Sequence, residues 1–150
     1  MNVLMVCLGN ICRSPLAEGI LKSKVDSAHT FVDSAGTAGY HVGNPPDSRS
    51  VKVAQDYGID ISQQSCRKFT ISDFDFFDVI YVMDKSNFSD IIRLARNKSD
   101  VEKVKLLLSE INLKNEEVPD PYHDTHDGFK KVYIMIDKAC TVIAARLENK

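Results

Sequence analysis

The chain has 150 residues and a formal net charge of −2, from 19 Lys and Arg against 21 Asp and Glu. This length suits one domain, and we predict a single domain over residues 1–150. The interspersed charges leave no basic patch for nucleic acid or for a membrane surface, and no run reaches the roughly 20 apolar residues of a membrane helix. Four unevenly spaced cysteines predict a reducing, cytoplasmic location rather than a disulfide scaffold.

The first predicted unit is a strand, a helix and a second strand over residues 2–35. Residues 2–6 (NVLMV) are predicted as a strand, because their apolar run after the first residue is typical of a strand buried on both faces. Ser14 is a predicted N-cap with Pro15 at the first helical position, and apolar residues continue at helical spacing as far as Val25. Residues 30–35 (TFVDSA) predict the second strand.

The rest of the chain continues the alternation of helices and strands. Residues 36–48, rich in glycine and proline, predict a long loop, after which Asp47 or Ser48 caps a helix that ends near Tyr57 and Gly58. The elements predicted after it are a short helix at 70–77, a strand at 78–83, a helix at 85–96, a strand at 103–108, a polar loop at 109–126 and a long helix whose apolar face runs from Phe129 to Leu147.

This order predicts an α/β fold. We expect a three-layer open sheet of four parallel strands, in the order 2-1-3-4, with helices on both faces. Ligands of such sheets bind beyond the carboxyl ends of the strands. The segment after the first strand, the loop at 36–48 and the loop after residue 108 are all expected at that edge.

The segment CLGNICRS, residues 7–14, has the composition of an anion-binding loop. A strand-to-helix loop can curl so that its backbone N–H groups point inward, and Gly9 and Asn10 tolerate the left-handed conformations that the curl needs. Arg13 offers a planar fork for two oxygens of a tetrahedral anion. The positive field of such a loop favours the thiolate form of Cys7. The segment therefore predicts a phosphate site with a nucleophile at its base.

The residues of this segment resemble the signature loop of the low-molecular-weight protein tyrosine phosphatases. Three further motifs resemble that family: SAGT at 34–37, MDKSN at 83–87 and DPY at 120–122. The resemblance spans nearly the whole chain. It implies hydrolysis of phosphotyrosine in a protein or peptide, competition by phosphate or similar oxyanions, and no need for a metal or a cofactor.

The resemblance also implies residue roles. Cys7 attacks phosphorus and forms a cysteinyl phosphate, and Asp120 protonates the leaving phenolate and then activates water. Ser14 stabilises the Cys7 thiolate, and Asp84 accepts a hydrogen bond from the loop or from Arg13. Asn10 holds the shape of the loop. The expected phosphate-binding residues are Leu8, Gly9, Asn10, Ile11, Cys12, Arg13 and Ser14.

Two tyrosines are expected to form walls around the substrate ring, Tyr40 in the glycine-rich loop and Tyr122 after Asp-Pro. At two positions the sequence departs from common members of the family. His123 stands where some relatives have a second tyrosine, and Gln64 stands where many have histidine.

Cys12 has a separate predicted role. It lies five positions from Cys7 in one curled loop, so a reversible disulfide between the two thiols would protect the nucleophile from oxidation. Two other interpretations of the cysteines remain open: both are small core residues, or Cys7 and Cys12 bind zinc with His123 and His126, although their spacing is wider than in most zinc sites.

Three alternative functions fit the sequence less well than phosphotyrosine hydrolysis. Arsenate reductases with this architecture need a downstream cysteine pair, and residues 67–139 contain no cysteine. Protein-arginine phosphatases tend to carry threonine at the position of Ile11, so Ile11 favours tyrosine. A phosphate-binding module without turnover does not account for the joint presence of Cys7, Arg13, Ser14 and Asp120.

Overall fold

The computed structural model describes residues 1–111 and 116–148. Its four strands are all parallel and lie in the order β2-β1-β3-β4, as predicted. The strand bounds are β1 Asn2–Cys7, β2 Phe31–Gly36, β3 Val79–Val82 and β4 Val104–Leu106. The carboxyl ends of the strands therefore lie at one edge of the sheet, and the segment after Cys7 emerges there next to the loop after Gly36.

Six α-helices connect or follow the strands within the described ranges. Their bounds are α1 Arg13–Lys22, α2 Ser48–Asp56, α3 Asp73–Phe76, α4 Lys85–Ile92, α5 Lys98–Lys103 and α6 His126–Glu148, and a short 3-10 helix spans Leu107–Glu110. In the part of the chain that the structure describes, no helix is long and apolar enough to cross a membrane.

The sheet has a hydrophobic core on each face. Along β1, Val3 and Met5 pack into one core and Leu4 and Val6 into the other, because successive side chains of a strand point to opposite faces. The first core is completed by side chains of α1, α2 and α6, and the second by side chains of α3 and α4. This explains the unbroken apolar run at residues 3–6 and confirms the predicted three layers.

The start of α1 differs from the prediction. The helix begins at Arg13, its N-cap residue is Cys12, and no side chain caps it. Ser14 is fully buried and its hydroxyl instead faces the Cys7 sulfur. The prediction of Ser14 as an N-cap was therefore wrong, because the tertiary contact takes the hydroxyl that a cap would use.

The region after β3 also differs in its boundaries. The helix predicted at 85–96 ends at Ile92, and α5 was missed although Asn97 caps it by accepting a hydrogen bond from Asp100 N at 2.9 Å. Strand β4 stops at Leu106, where the chain turns into the 3-10 helix and buries Leu107 and Leu108. Part of the loop predicted at 109–126 falls on residues 112–115, which lie outside the described residues.

Candidate active site

The loop between β1 and α1 is held in its curled shape by contacts with neighbouring segments. Asn10 has a positive φ of 57°, which places it in the left-handed region. The carbonyl oxygens of Cys7 and Leu8 accept hydrogen bonds from backbone N–H groups of residues 37 and 38, both at 2.9 Å. A Cβ at Gly36 would lie 2.8 Å from the Leu8 oxygen, so β2 passes the loop at a distance that only glycine allows.

Cys7 lies at the base of the loop with only 2% of its surface exposed. The Asn10 backbone N–H donates to its sulfur at 3.3 Å, and the Ser14 hydroxyl lies 3.1 Å from the same atom. The Asn10 side-chain amide donates to the Ser14 oxygen at 2.8 Å. The Ser14 hydroxyl has one proton to donate, and the acceptors nearest to it are the Cys7 sulfur at 3.1 Å and the Ala35 carbonyl oxygen at 3.4 Å.

Asn10 is held by hydrogen bonds to buried polar groups. The Asn10 side-chain amide donates to the Ser34 hydroxyl at 3.0 Å, and the Ser34 hydroxyl donates to a Glu18 carboxylate oxygen at 2.7 Å. The Arg67 backbone N–H donates to the Asn10 side-chain oxygen at 3.0 Å, and the Cys66 thiol donates to the Asn10 carbonyl oxygen at 2.7 Å. The side-chain contacts of Asn10 therefore fix a conformation that a non-glycine residue rarely adopts.

Sequence reasoning assigned no part in the site to Glu18, Cys66 or Arg67. Glu18 is 4% exposed, and burial is the main cause that raises its pKa above the usual value. The signal available in the sequence was a carboxylate one helical turn after Ser14, among apolar residues that form the buried face of α1. Cys66 and Arg67 gave no such signal, because their contact with Asn10 arises only from the fold.

Arg13 is almost completely buried, with 2% of its surface exposed. Its Nη1 donates to Asp84 Oδ2 at 2.6 Å and to the Val118 carbonyl oxygen at 3.0 Å, and its Nη2 lies 3.8 Å from Asp120 Oδ2. Burial alone would lower the pKa of Arg13, but the negative charges at Cys7 and Asp84 raise it above the usual value. The guanidinium therefore stays charged and fixed in orientation.

A cavity of about 390 Å³ opens above the loop. Asp120 lies on one side, where one of its carboxylate oxygens accepts a hydrogen bond from the Tyr122 backbone N–H at 3.1 Å. Tyr40 and Tyr122 are 76% and 43% exposed, so both rings are available at the mouth. The lining residues are Cys7, Leu8, Gly9, Ile11, Cys12, Arg13, Tyr40, His41, Asp120, Tyr122 and His123.

The structure thus brings together the residues named from the sequence. Most of them line the cavity, while Asn10, Ser14 and Asp84 lie behind it and contact Cys7 or Arg13. His41, to which the sequence assigned no role, also lines the cavity beside Gly9. Gln64, which stands where many relatives have histidine, does not line the cavity and donates to the Pro15 carbonyl oxygen at 3.0 Å.

The cysteines occupy different environments. Cys12 lines the cavity, and its pKa is raised to about 12 by burial and then by the negative charges of Asp47, Cys7 and Asp120. Burial raises the pKa of Cys66 to about 11, and Cys140 is fully buried in the core on α6. Within residues 1–111 and 116–148, no group of three or more metal-ligating side chains is gathered, and His126 instead faces Asp56 at 3.5 Å.

The first strand of this parallel sheet ends in a buried cysteine, and the loop that follows places an arginine in the same cavity. These features define the class of cysteine-dependent phosphatases. The sequence profile described as "low molecular weight phosphotyrosine protein phosphatase" matches residues 2–150. The chain belongs to this family.

Individual relatives agree with the profile. The low molecular weight phosphotyrosine protein phosphatase of Homo sapiens is 40% identical over 144 residues, covering 93% of this chain and 90% of the human protein. The crystal structure of the protein tyrosine phosphatase from Entamoeba histolytica with Hepes in its active site has a TM-score of 0.91 and 36% identity, and covers 99% of this chain and 97% of that one. The complex of Vibrio vulnificus Wzb with benzylphosphonate has a TM-score of 0.87 and 29% identity, with 97% of each chain covered.

Family membership defines the general activity. The chain is a cysteine-dependent protein tyrosine phosphatase, a phosphomonoesterase of a kind that works without a metal ion. Its reaction is the hydrolysis of phosphotyrosine.

Proposed function

We propose that the chain hydrolyses phosphotyrosine and small aryl phosphates in two steps through a cysteinyl-phosphate intermediate. In the first step the Cys7 thiolate attacks phosphorus, a sulfur–phosphorus bond forms, and the bond to the phenolic oxygen breaks. Asp120 donates a proton to the departing oxygen, so tyrosine leaves as a neutral phenol. The observation that carries this proposal is that Cys7 and Arg13, from one loop, line the same cavity as Asp120, from a segment more than a hundred residues later.

In the second step water replaces the cysteine. Asp120, now a carboxylate, takes a proton from water, the water oxygen attacks phosphorus, and the sulfur–phosphorus bond breaks to release phosphate. The Ser14 hydroxyl, 3.1 Å from the Cys7 sulfur, would stabilise the thiolate as it leaves. Asp120 therefore acts as an acid when the phosphorus–oxygen bond breaks in the first step and as a base when water attacks in the second. Ser14 would stabilise the Cys7 thiolate in both steps.

Charge on the transferred phosphoryl oxygens would be held by Arg13 and by the backbone N–H groups of residues 8–14. Two features support this: Arg13 is fixed by Asp84 and by the Val118 carbonyl, and the left-handed Asn10 gives the loop its curl. A fixed guanidinium and aligned N–H groups need little reorganisation when negative charge develops. Inorganic phosphate and similar oxyanions are expected to compete for the same position.

The walls of the cavity support an aromatic substrate. Tyr40 and Tyr122 would contact the two faces of the phosphotyrosine ring, and Ile11 offers an apolar contact at the lining. The benzylphosphonate held by Vibrio vulnificus Wzb combines an aromatic ring with a phosphorus oxyanion, as phosphotyrosine does. We therefore infer a phosphotyrosine-containing protein or peptide as the partner.

Two further assignments belong to the proposal. We infer a single domain over the whole chain, supported by the family profile over residues 2–150, and a cytoplasmic location, supported by four cysteines that are all free thiols. Cys12 is assigned a redox role: peroxide converts Cys7 to a sulfenic acid, the Cys12 thiolate attacks that sulfur, and hydroxide leaves as the disulfide forms.

The test is the hydrolysis of p-nitrophenyl phosphate and of a phosphotyrosine peptide without added metal, by the wild type, Cys7→Ser and Asp120→Ala. Cys7→Ser should lose nearly all activity, and Asp120→Ala should be slowed by about 10²- to 10⁴-fold. Full activity of Cys7→Ser would contradict the mechanism. A wild type that binds phosphate without turnover would instead support a binding module.

A further inference from the structure

The segment that carries Asp120 is attached to the junction between β3 and α4. The Val118 backbone N–H donates to the Met83 carbonyl oxygen at 2.8 Å, and the Val118 carbonyl oxygen accepts from Arg13 at 3.0 Å. Both backbone polar groups of Val118 are therefore paired. Asp120 itself has a side chain that is 47% exposed, so packing around the carboxylate does little to fix it.

Glu117 adds a third attachment. Its Oε2 accepts a hydrogen bond at 3.0 Å from the backbone N–H of Lys85, the first residue of α4. The first N–H groups of a helix lack partners within the helix, and a carboxylate there is also favoured by the helix dipole. Asp84 caps the same helix through the Asn87 N–H at 2.8 Å. The start of α4 thus binds two carboxylates, one that holds Arg13 and one that lies on the segment of Asp120.

The backbone between Glu117 and Asp120 has few freely variable torsion angles. Pro119 and Pro121 flank Asp120, and each proline fixes its own φ and restricts the residue before it. Val118 and Asp120 are the residues so restricted. A displacement of Glu117 is therefore expected to move Asp120 as well, because few backbone torsion angles between them can compensate for it.

We propose that Glu117 is a positioning residue for Asp120: its bond to the start of α4 holds the proton donor at a fixed distance from Cys7 and Arg13. This inference rests on the proposed role of Asp120 as acid and base. It also places the phosphate-binding arginine and the acid on one common support, the N-terminus of α4.

The experiment compares Glu117→Ala and Glu117→Gln with Glu116→Ala, a matched control that removes the neighbouring, exposed carboxylate. The readout is kcat/KM for phenyl phosphate, whose leaving group needs a proton, and for dinitrophenyl phosphate, whose leaving group does not. Glu117→Ala should lower kcat/KM for phenyl phosphate by about three- to tenfold, the worth of one hydrogen bond, and change the dinitrophenyl value by less than about twofold. Glu117→Gln should recover most of the loss, because its amide oxygen still accepts from Lys85.

Three results would overturn the inference: equal losses with both substrates, a Glu117→Ala enzyme indistinguishable from Glu116→Ala, or an undiminished effect of Glu117→Ala in an Asp120→Asn background. The Asp120→Asn enzyme separates this failure from failure of the proposed function. If Asp120→Asn lowers kcat/KM equally for phenyl phosphate and dinitrophenyl phosphate, the role of Asp120 as acid is wrong. If Asp120→Asn loses more activity with phenyl phosphate and Glu117→Ala does not, only the role of Glu117 is wrong.

Discussion

Arg13 and Asp84 are joined by a hydrogen-bonded ion pair of 2.6 Å between Nη1 and Oδ2, and Arg13 is almost completely buried. The other oxygen of Asp84 caps α4 by accepting from the Asn87 N–H. The Asp84 carboxylate therefore both orients Arg13 at the cavity and caps the start of α4. A buried guanidinium that loses its partner keeps an uncompensated charge, so this pair has consequences for both binding and stability.

Substitutions at Asp84 should separate these two effects. Asp84→Asn keeps a good N-cap but removes the charge that fixes Arg13, and we expect kcat/KM for p-nitrophenyl phosphate to fall by about 10- to 100-fold. Asp84→Ala should show a similar catalytic loss and, in urea unfolding, about 1 kcal/mol less stability than Asp84→Asn because the cap is also lost. Full activity of Asp84→Asn would show that its charge does not orient Arg13.

The buried Glu18 predicts a pH dependence of stability. Burial raises its folded pKa above the unfolded value, so its favourable contribution is fully present below about pH 4.3 and is lost as the pH rises through the folded pKa. The free energy of unfolding of Glu18→Gln, relative to wild type, should therefore increase as the pH is raised from about 4 to about 7. Urea unfolding at a series of pH values measures this difference. A difference that stays constant over this pH range would contradict it.

The redox role proposed for Cys12 predicts that recovery from peroxide depends on pH. With a pKa of about 12, Cys12 is almost entirely a thiol at neutral pH, and its thiolate fraction rises about tenfold for each pH unit below that value. After peroxide, the fraction of activity that dithiothreitol recovers should therefore be larger at about pH 8.5 than at about pH 7 in the wild type. Cys12→Ser should lose this recovery, whereas Cys66→Ser, which changes another buried thiol, should keep it. Equal recovery in Cys12→Ser and wild type would remove Cys12 from the protection.

The sequence was sufficient for the parallel sheet and for most of the residues that line the cavity. His41 was missed, and Asp120, Tyr40 and Tyr122 were expected there only through the family resemblance. An unbroken apolar run such as residues 3–6 is typical of a strand covered on both faces, and Cys7 follows that run at the end of β1. The left-handed conformation predicted for the loop is present at Asn10. The buried strand and the left-handed residue of the loop depend on local composition, so both can be predicted before the fold is known.

Features that depend on long-range contacts were not visible. Ser14 has the composition of an N-cap but bonds toward Cys7, because a tertiary partner replaced the local one. The contact of Cys66 with the Asn10 carbonyl joins residues separated by 56 positions, and no periodicity predicts it. Glu117 and Lys85 likewise meet only because the last loop returns to the start of α4.

In the proposed mechanism the phosphoryl group is carried by the Cys7 sulfur, and trapping that intermediate is the most direct test. The wild type and Asp120→Ala are mixed with a radiolabelled aryl phosphate, quenched in acid within milliseconds, and digested to locate the label. We predict a label on the peptide that contains Cys7, bound through sulfur, at higher occupancy in Asp120→Ala because its second step lacks a base, and no label in Cys7→Ser. Turnover by the wild type with no protein-bound phosphate, or with label on a residue other than Cys7, would contradict the account.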